Sequence, residues 1–177
     1  MRRVLVIGSG GAGKSTLAAR LSERLGLPLI GLDTLYWNPG WVPTPEIEWA
    51  DRVRELASQD SWVIDGNYGA TLDVRLARAD TVVFLDLPRL LCLSRIVWRA
   101  IRHWGRTRPD MPPGCPERLS WEFVVWVWGY PVRRRPEILA KLEALRGEKQ
   151  IFVLSSRREV STFLEASCPS IPRTRAL

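Results

Sequence analysis

Residues 6–16 read VIGSGGAGKST, a glycine-rich turn between an apolar run and a helix-like run, with one lysine in it. The run before it, RVLVI at 3–7, is continuous and rich in β-branched residues, as in a buried parallel strand. After it, Leu17, Ala18, Leu21 and Leu25 recur at helical spacing until Gly26 ends the pattern. Strand, glycine turn and helix in that order suit a phosphate cradle. Gly8, Gly10, Gly11 and Gly13, with Ser9 and Ala12 between them, can turn the backbone tightly and point N–H groups at oxygens. The helix that follows adds positive potential at its N-terminus.

The spacing Gly8-x-x-x-x-Gly13-Lys14-Ser15 is a complete P-loop pattern. It predicts that Lys14 reaches the β- and γ-phosphates of a nucleoside triphosphate, with the Ser15 hydroxyl on Mg²⁺ and Thr16 beside it. Lys14 is the only lysine before Lys141 in a chain that otherwise uses arginine there. A flexible point charge suits that position better than a planar fork.

Strand-like and helix-like segments then alternate. LPLIGLD is a short second strand ending at Asp33, a loop rich in Pro and Trp (TLYWNPGWVPTP) follows it, and SWVID is a third strand, TVVFLD a fourth and QIFVL a fifth. Helices are expected from Thr44 as N-cap and Pro45 at the first helical position to about Gln59, and at 71–79, 88–104, 118–129, 136–146 and 156–166. The segment GRTRPDMPPGCPE is too rich in proline and glycine to be helical. The alternation predicts an α/β layer fold with a parallel sheet.

Length and composition fit one domain over residues 1–177, with a frayed tail at 167–177. No apolar stretch nears the roughly 18 residues of a membrane span, so no membrane is expected as partner. The three cysteines, Cys92, Cys115 and Cys168, have neither an even count nor zinc-like spacing, and His103 is the single histidine. These features read as a soluble cytoplasmic protein. Its net charge of +7 is uneven: between Arg89 and Arg146, twelve basic residues face five acidic ones and account for all of it. Arginines that close over a polyphosphate, or a nucleic-acid surface, would explain the local surplus.

Further along, WVIDGNY at 62–68 resembles the adenylate-kinase pattern of a strand ending in Asp-Gly before a substrate loop. FLDLPRLLCLSRIVWRAIR resembles that family's fourth strand and the helix bearing two arginines one turn apart, here Arg95 and Arg99. With LDTLYWNPGW and TRPDMPPGCPERLSWEF, the chain over roughly 3–165 looks like the adenylate-kinase-like proteins labelled DNA topology modulation (FlaR-type) proteins. The resemblance implies a P-loop NTPase with a nucleoside-kinase-like core, a five-stranded parallel sheet flanked by helices; it implies ATP and Mg²⁺ as cofactors, a substrate-binding segment near 34–60 and a lid near 99–135. It implies that Asp65 faces Mg²⁺ and that Arg95 and Arg99 face the nucleotide and the transferring phosphoryl group. Where adenylate kinases continue Asp-Gly with Phe-Pro-Arg, this chain has Asn67-Tyr68, which argues against AMP as acceptor.

Asp33 lies at the sheet edge where α/β folds bind ligands. Small-molecule kinases of the shikimate, gluconate and nucleoside types have an aspartate similarly placed, near the acceptor hydroxyl. There a carboxylate can take the hydroxyl proton as the phosphoryl group transfers; the bland alternative is a turn or cap residue. Tyr36, Trp37 and Trp41 can stack on a flat acceptor or form an apolar floor, and Asn67 adjoins them in the substrate loop. Arg118 and Arg133 are the lid residues expected to reach the phosphates, among Arg106, Arg108 and Arg133–Arg135. Asp86 reads as structural, and WEFVVWVW as helix packing. The favoured function is an ATP-dependent kinase acting on a small-molecule or nucleotide acceptor. The alternative is a P-loop regulatory protein touching DNA through its basic segment.

Overall fold

The structure is a computed structural model and describes residues 1–167. Its core is the parallel sheet of β1 (Arg3–Gly8), β2 (Leu29–Gly31), β5 (Trp62–Asp65), β6 (Thr81–Leu85) and β7 (Gln150–Leu154). They lie in the order β2-β5-β1-β6-β7, with every pairing parallel. The five strands stand where the apolar runs predict them. The central one, β1, runs directly into the glycine loop, and α1 (Lys14–Leu25) follows it.

Alternation along the strands splits the core in two. Val4 and Val6 face Leu17 and Leu21 of α1, Ile96 of α5 (Arg89–His103) and Phe163 of α8 (Arg157–Ala166). Leu5 and Ile7 face the other way, into a cluster with Trp49 and Val53 of α3 (Glu46–Ser58), Leu76 of α4 (Leu72–Arg78) and Leu142 of α7 (Arg135–Ala144). Strand register sets Val6 of β1 and Gly31 of β2 beside Asp65 of β5. The carboxyl ends of the three strands therefore open on one crevice.

Three local expectations change. The short second strand ends at Gly31, and the chain turns at once into α2 (Leu32–Tyr36), so Asp33 sits in a helix's first turn and not at a strand's end. The Pro/Trp-rich loop holds a small antiparallel hairpin, β3 (Trp37–Asn38) with β4 (Val42–Pro43). Thr44 does not cap α3; Pro45 does, and the Thr44 hydroxyl donates to the Tyr36 carbonyl at 2.7 Å. Closure of the hairpin claims that hydroxyl.

Two helices start on serine caps. The Ser120 hydroxyl accepts from Phe123 N–H at the start of α6 (Trp121–Arg133), and the Ser156 hydroxyl accepts from Glu159 N–H at the start of α8. The first of them, α6, begins at Trp121 and not at the expected 118. Among the described residues no helix is long and apolar enough to cross a membrane. The tail expected to fray lies outside the described residues beyond Ser167.

Arg75 on α4 is wholly buried. Its guanidinium donates to the carbonyls of Gly66 (2.6 Å), Asn67, Tyr68 (2.8 Å) and Thr71 (3.3 Å). Burial lowers its pKa to about 10, so it stays charged at neutral pH while costing desolvation free energy. The hydrogen bonds offset that cost. Arg75→Met should therefore leave these carbonyls unpaired and destabilise the fold by about 2–4 kcal/mol in urea denaturation. An unchanged denaturation midpoint would contradict this role.

Candidate active site

The glycine loop forms one wall of a cavity of about 1050 Å³, and the loops after β2 and β5, together with the segment 104–120, form the others. Gly11 has a φ of +74°, and a Cβ there would lie 2.3 Å from the Cys92 carbonyl oxygen, so glycine is required. A Cβ on Gly10 would lie 2.6 Å from the Phe123 ring, which brings α6 directly against the loop. The Lys14 ammonium donates to the Ser9 carbonyl at 3.1 Å. Arg95 donates to the carbonyls of Gly11 and Ala12 at 3.2 and 3.0 Å. Both cations therefore line the cavity at the loop itself, with Ser15 and Thr16 at the start of α1.

Asp65 is buried at the end of β5, and its Oδ1 has no hydrogen-bond partner. Burial raises its pKa, against the Lys14 charge and the Ser15 hydroxyl, which lower it. An orphaned carboxylate oxygen beside a P-loop serine fits a hard cation that takes oxygen ligands and keeps several waters. Among the described residues no group of three or more His, Cys, Asp or Glu side chains could hold a metal. The donor set thus suits Mg²⁺ bound together with phosphate oxygens, and not an ion caged by protein alone.

Asn67 faces the loop more than the open cavity. Its side-chain amide accepts from Gly8 N–H at 3.0 Å and donates to the Gly8 carbonyl at 2.5 Å, clipping the loop after β5 to the first P-loop glycine. The next residue, Tyr68, has a left-handed φ of +30° and donates its hydroxyl to Asp33 Oδ1 at 2.6 Å. Burial and the Asp33 charge raise the Tyr68 pKa, so the phenol remains a donor. Asp33, Trp37, Trp41 and Tyr68 all line the cavity. Tyr36 packs outside its lining, with its ring 4.7 Å from Tyr68, 4.9 Å from Trp37 and 5.0 Å from Trp49. Tyr36 therefore packs as floor, outside the cavity, while Trp37 and Trp41 line it.

The arginines divide. Arg99 lines the cavity and pairs with buried Glu117 at 3.1 Å, and Arg108 pairs with the same carboxylate at 2.6 Å. Burial and the Arg108 charge lower the Arg99 pKa. Arg108 also reaches Asp110 at 2.7 Å. Arg118 lines the cavity with its guanidinium 5.9 Å from the Trp41 ring. Arg133 is exposed and outside the lining; its neighbour Arg134 occupies that place, paired with Glu137 at 3.6 Å. Asp86 forms a two-oxygen contact with Arg135 at 2.8 and 2.9 Å, away from the cavity.

Sequence reasoning passed over Tyr68, Arg75 and Glu117, and it named Arg134 only within the group 133–135 while choosing Arg133. Tyr68 meets Asp33, and Glu117 meets Arg99, across long stretches of sequence, whereas Arg75 binds the carbonyls of the loop just before its own helix, which helical spacing does not reveal; the one available signal was Tyr68's place beside Asn67 in the Asp-Gly loop.

No protein-family profile matches the chain. The uncharacterized protein YqaC of Bacillus subtilis (strain 168) is 28% identical over 127 residues, 71% of this chain and 70% of its own length. An adenylate kinase of Kocuria rhizophila is 56% identical over a short stretch of 36 residues, 20% of this chain and 19% of its own. A gluconokinase from Sinorhizobium meliloti 1021 superposes with a TM-score of 0.52 at 19% identity, covering 94% of this chain and 89% of that one. A shikimate kinase from Acinetobacter baumannii, in complex with shikimate, gives 0.57 at 16% identity, covering 94% and 90%. This chain has the α/β fold of the P-loop kinases.

Proposed function

We propose that this protein is a Mg²⁺- and ATP-dependent phosphotransferase that moves the γ-phosphoryl group to a hydroxyl of a small-molecule or nucleotide acceptor. The reading rests mainly on one observation: the glycine loop with Lys14 and the Asp33 carboxylate line the same cavity. Loop N–H groups and Lys14 would hold the triphosphate, and Ser15 with Asp65 would hold Mg²⁺, which supplies positive charge at the phosphate oxygens. Asp33 would accept the acceptor's hydroxyl proton, oriented by the Tyr68 hydroxyl. Arg95 would counter charge developing on the transferring group. Trp37 and Trp41 would flank the acceptor. Segment 99–135 would act as a lid, with Arg99, Arg108, Arg118 and Arg134 available to the phosphates on closure.

Contact with DNA through the basic segment has less support. Of its twelve basic side chains, Arg99, Arg108, Arg134, Arg135, Lys141 and Arg146 already pair with carboxylates, and Arg95 binds the glycine loop. A DNA surface would also lose affinity steeply with added salt.

ATP consumption screened across sugars, hydroxy acids, nucleosides and nucleotides should single out one acceptor class. With that acceptor, Asp33→Asn should lower kcat by about 10²–10⁴-fold and leave ATP affinity within about twofold. Unchanged turnover would remove Asp33 as the base, and a flat screen would count against the kinase reading.

Asp65 makes an opposite prediction for stability. Its pKa is raised in the folded state, so the ionised form is disfavoured and the stability it contributes at low pH is lost as pH rises through that pKa. Asp65→Asn should therefore raise the ligand-free melting temperature at neutral pH by about 2–4 °C. The same change should weaken Mg²⁺-dependent ATP binding by about tenfold or more. A lower melting temperature with intact Mg²⁺ dependence would contradict both.

A further inference from the structure

The outer side of the α5–α6 pair is unlike the rest of the surface. The helices run antiparallel: Arg89 at the start of α5 stacks 4.2 Å over the ring of Trp128 late in α6, and Gly105 N–H binds the Glu117 carbonyl at the other end. Leu90, Trp98 and Ile101 are spaced at helical repeats on one face of α5, opposite buried Cys92, Ile96 and Ala100. Trp121, Val125, Trp128 and Val132 form the matching face of α6, opposite buried Val127 and Tyr130. All seven are exposed, and Trp104 beyond α5 joins them. Trp98, Trp104, Trp121 and Trp128 are 63, 66, 76 and 49% exposed, and they are the exposed tryptophans among the described residues. An apolar surface of this kind marks a contact site.

Its charge says what contacts it. α5 contains no acidic residue and α6 contains one, Glu122. Arg89, Arg102 and Arg106 are exposed around the face, and none has a carboxylate partner among the described residues. A second copy of the chain would bring two arginine rims together, and like charges repel. The remaining tail, CPSIPRTRAL, carries Arg173 and Arg175 and no acid, so it does not complement the rim either. Nucleic acid would match the charge but not a face of Leu, Ile, Val and Trp side chains, because those interfaces are polar. Arginines around exposed tryptophan and aliphatic side chains match the headgroup boundary of an anionic bilayer, into which a helix face sinks without spanning.

We propose that the α5–α6 face docks this protein on the surface of membranes that carry anionic lipids. The contact is peripheral, with no span, and it departs from the expectation that no membrane is a partner, which rested on the lack of a spanning stretch. The face is the outer side of the helix carrying Arg95 and Arg99, so docking leaves the cavity on the other side.

Cosedimentation of the full chain with phosphatidylcholine vesicles, with and without phosphatidylglycerol, tests this directly. The chain should sediment with the anionic vesicles at least about tenfold more strongly than with the neutral ones, and salt should weaken the binding. Trp98→Ser with Ile101→Ser should lower the anionic-vesicle partition by about tenfold or more while keeping the wild-type circular dichroism and melting curve. Arg102→Gln with Arg106→Gln should flatten the salt dependence. Equal sedimentation with both vesicle types would overturn the proposal. So would a wild-type dimer that the Trp98/Ile101 variant converts to monomer, or duplex-DNA binding that the same variant abolishes while vesicle binding stays unchanged.

Discussion

The buried guanidinium of Arg75 holds together the part of the molecule on which the site depends. It binds the carbonyls of Gly66, Asn67 and Tyr68 in succession, so the loop after β5 is tied down at three adjacent residues. From that loop Asn67 clips the first P-loop glycine and Tyr68 holds Asp33. One buried cation thereby sets the separation between the phosphate cradle and the proposed acceptor carboxylate. A positive charge placed among carbonyls, with no carboxylate partner, costs desolvation free energy that an apolar side chain would not. Its retention fits a site that needs its loop in a fixed place.

Charges in the rest of the cavity are arranged to limit repulsion. Arg99 and Arg108 converge on Glu117, whose buried carboxylate lets two guanidinium groups stand close together. Without it, both would be half-buried like charges, the costly state for an ion. Lys14 and Arg95 rest on carbonyls of the glycine loop. On the proposed reading, phosphate oxygens would replace those carbonyl contacts, with the cations already in position.

Much of the fold was legible because its signals are local. An apolar run into glycines gives β1, spacing of four residues gives α1, and the five short apolar runs give the sheet. The P-loop was legible for the same reason. Asp33 was legible in position but not in setting, because β2 ends early and the short α2 takes it over. The Thr44 cap failed because a hairpin closed nearby and took its hydroxyl. Tyr68–Asp33, Arg99–Glu117 and Arg75 were not legible. The first two join residues far apart in sequence, and Arg75, whose partners are the carbonyls just before its helix, reads in sequence as the polar side of a short helix. The tryptophans of α6 were legible as packing, and Phe123 and Trp126 do stack, yet the helix also turns Trp121 and Trp128 outward.

The central claim is that the cavity passes a phosphoryl group from the glycine loop to a hydroxyl at Asp33, and does not merely hydrolyse a nucleotide. Phosphorus NMR on the protein with Mg²⁺-ATP and a pool of small hydroxylated metabolites separates the two outcomes in one spectrum. The account predicts that loss of the γ-phosphate signal is matched by a new phosphomonoester signal, and that both changes vanish with Lys14→Ala. Inorganic phosphate as the sole product, at the same rate with and without the metabolite pool, would contradict it.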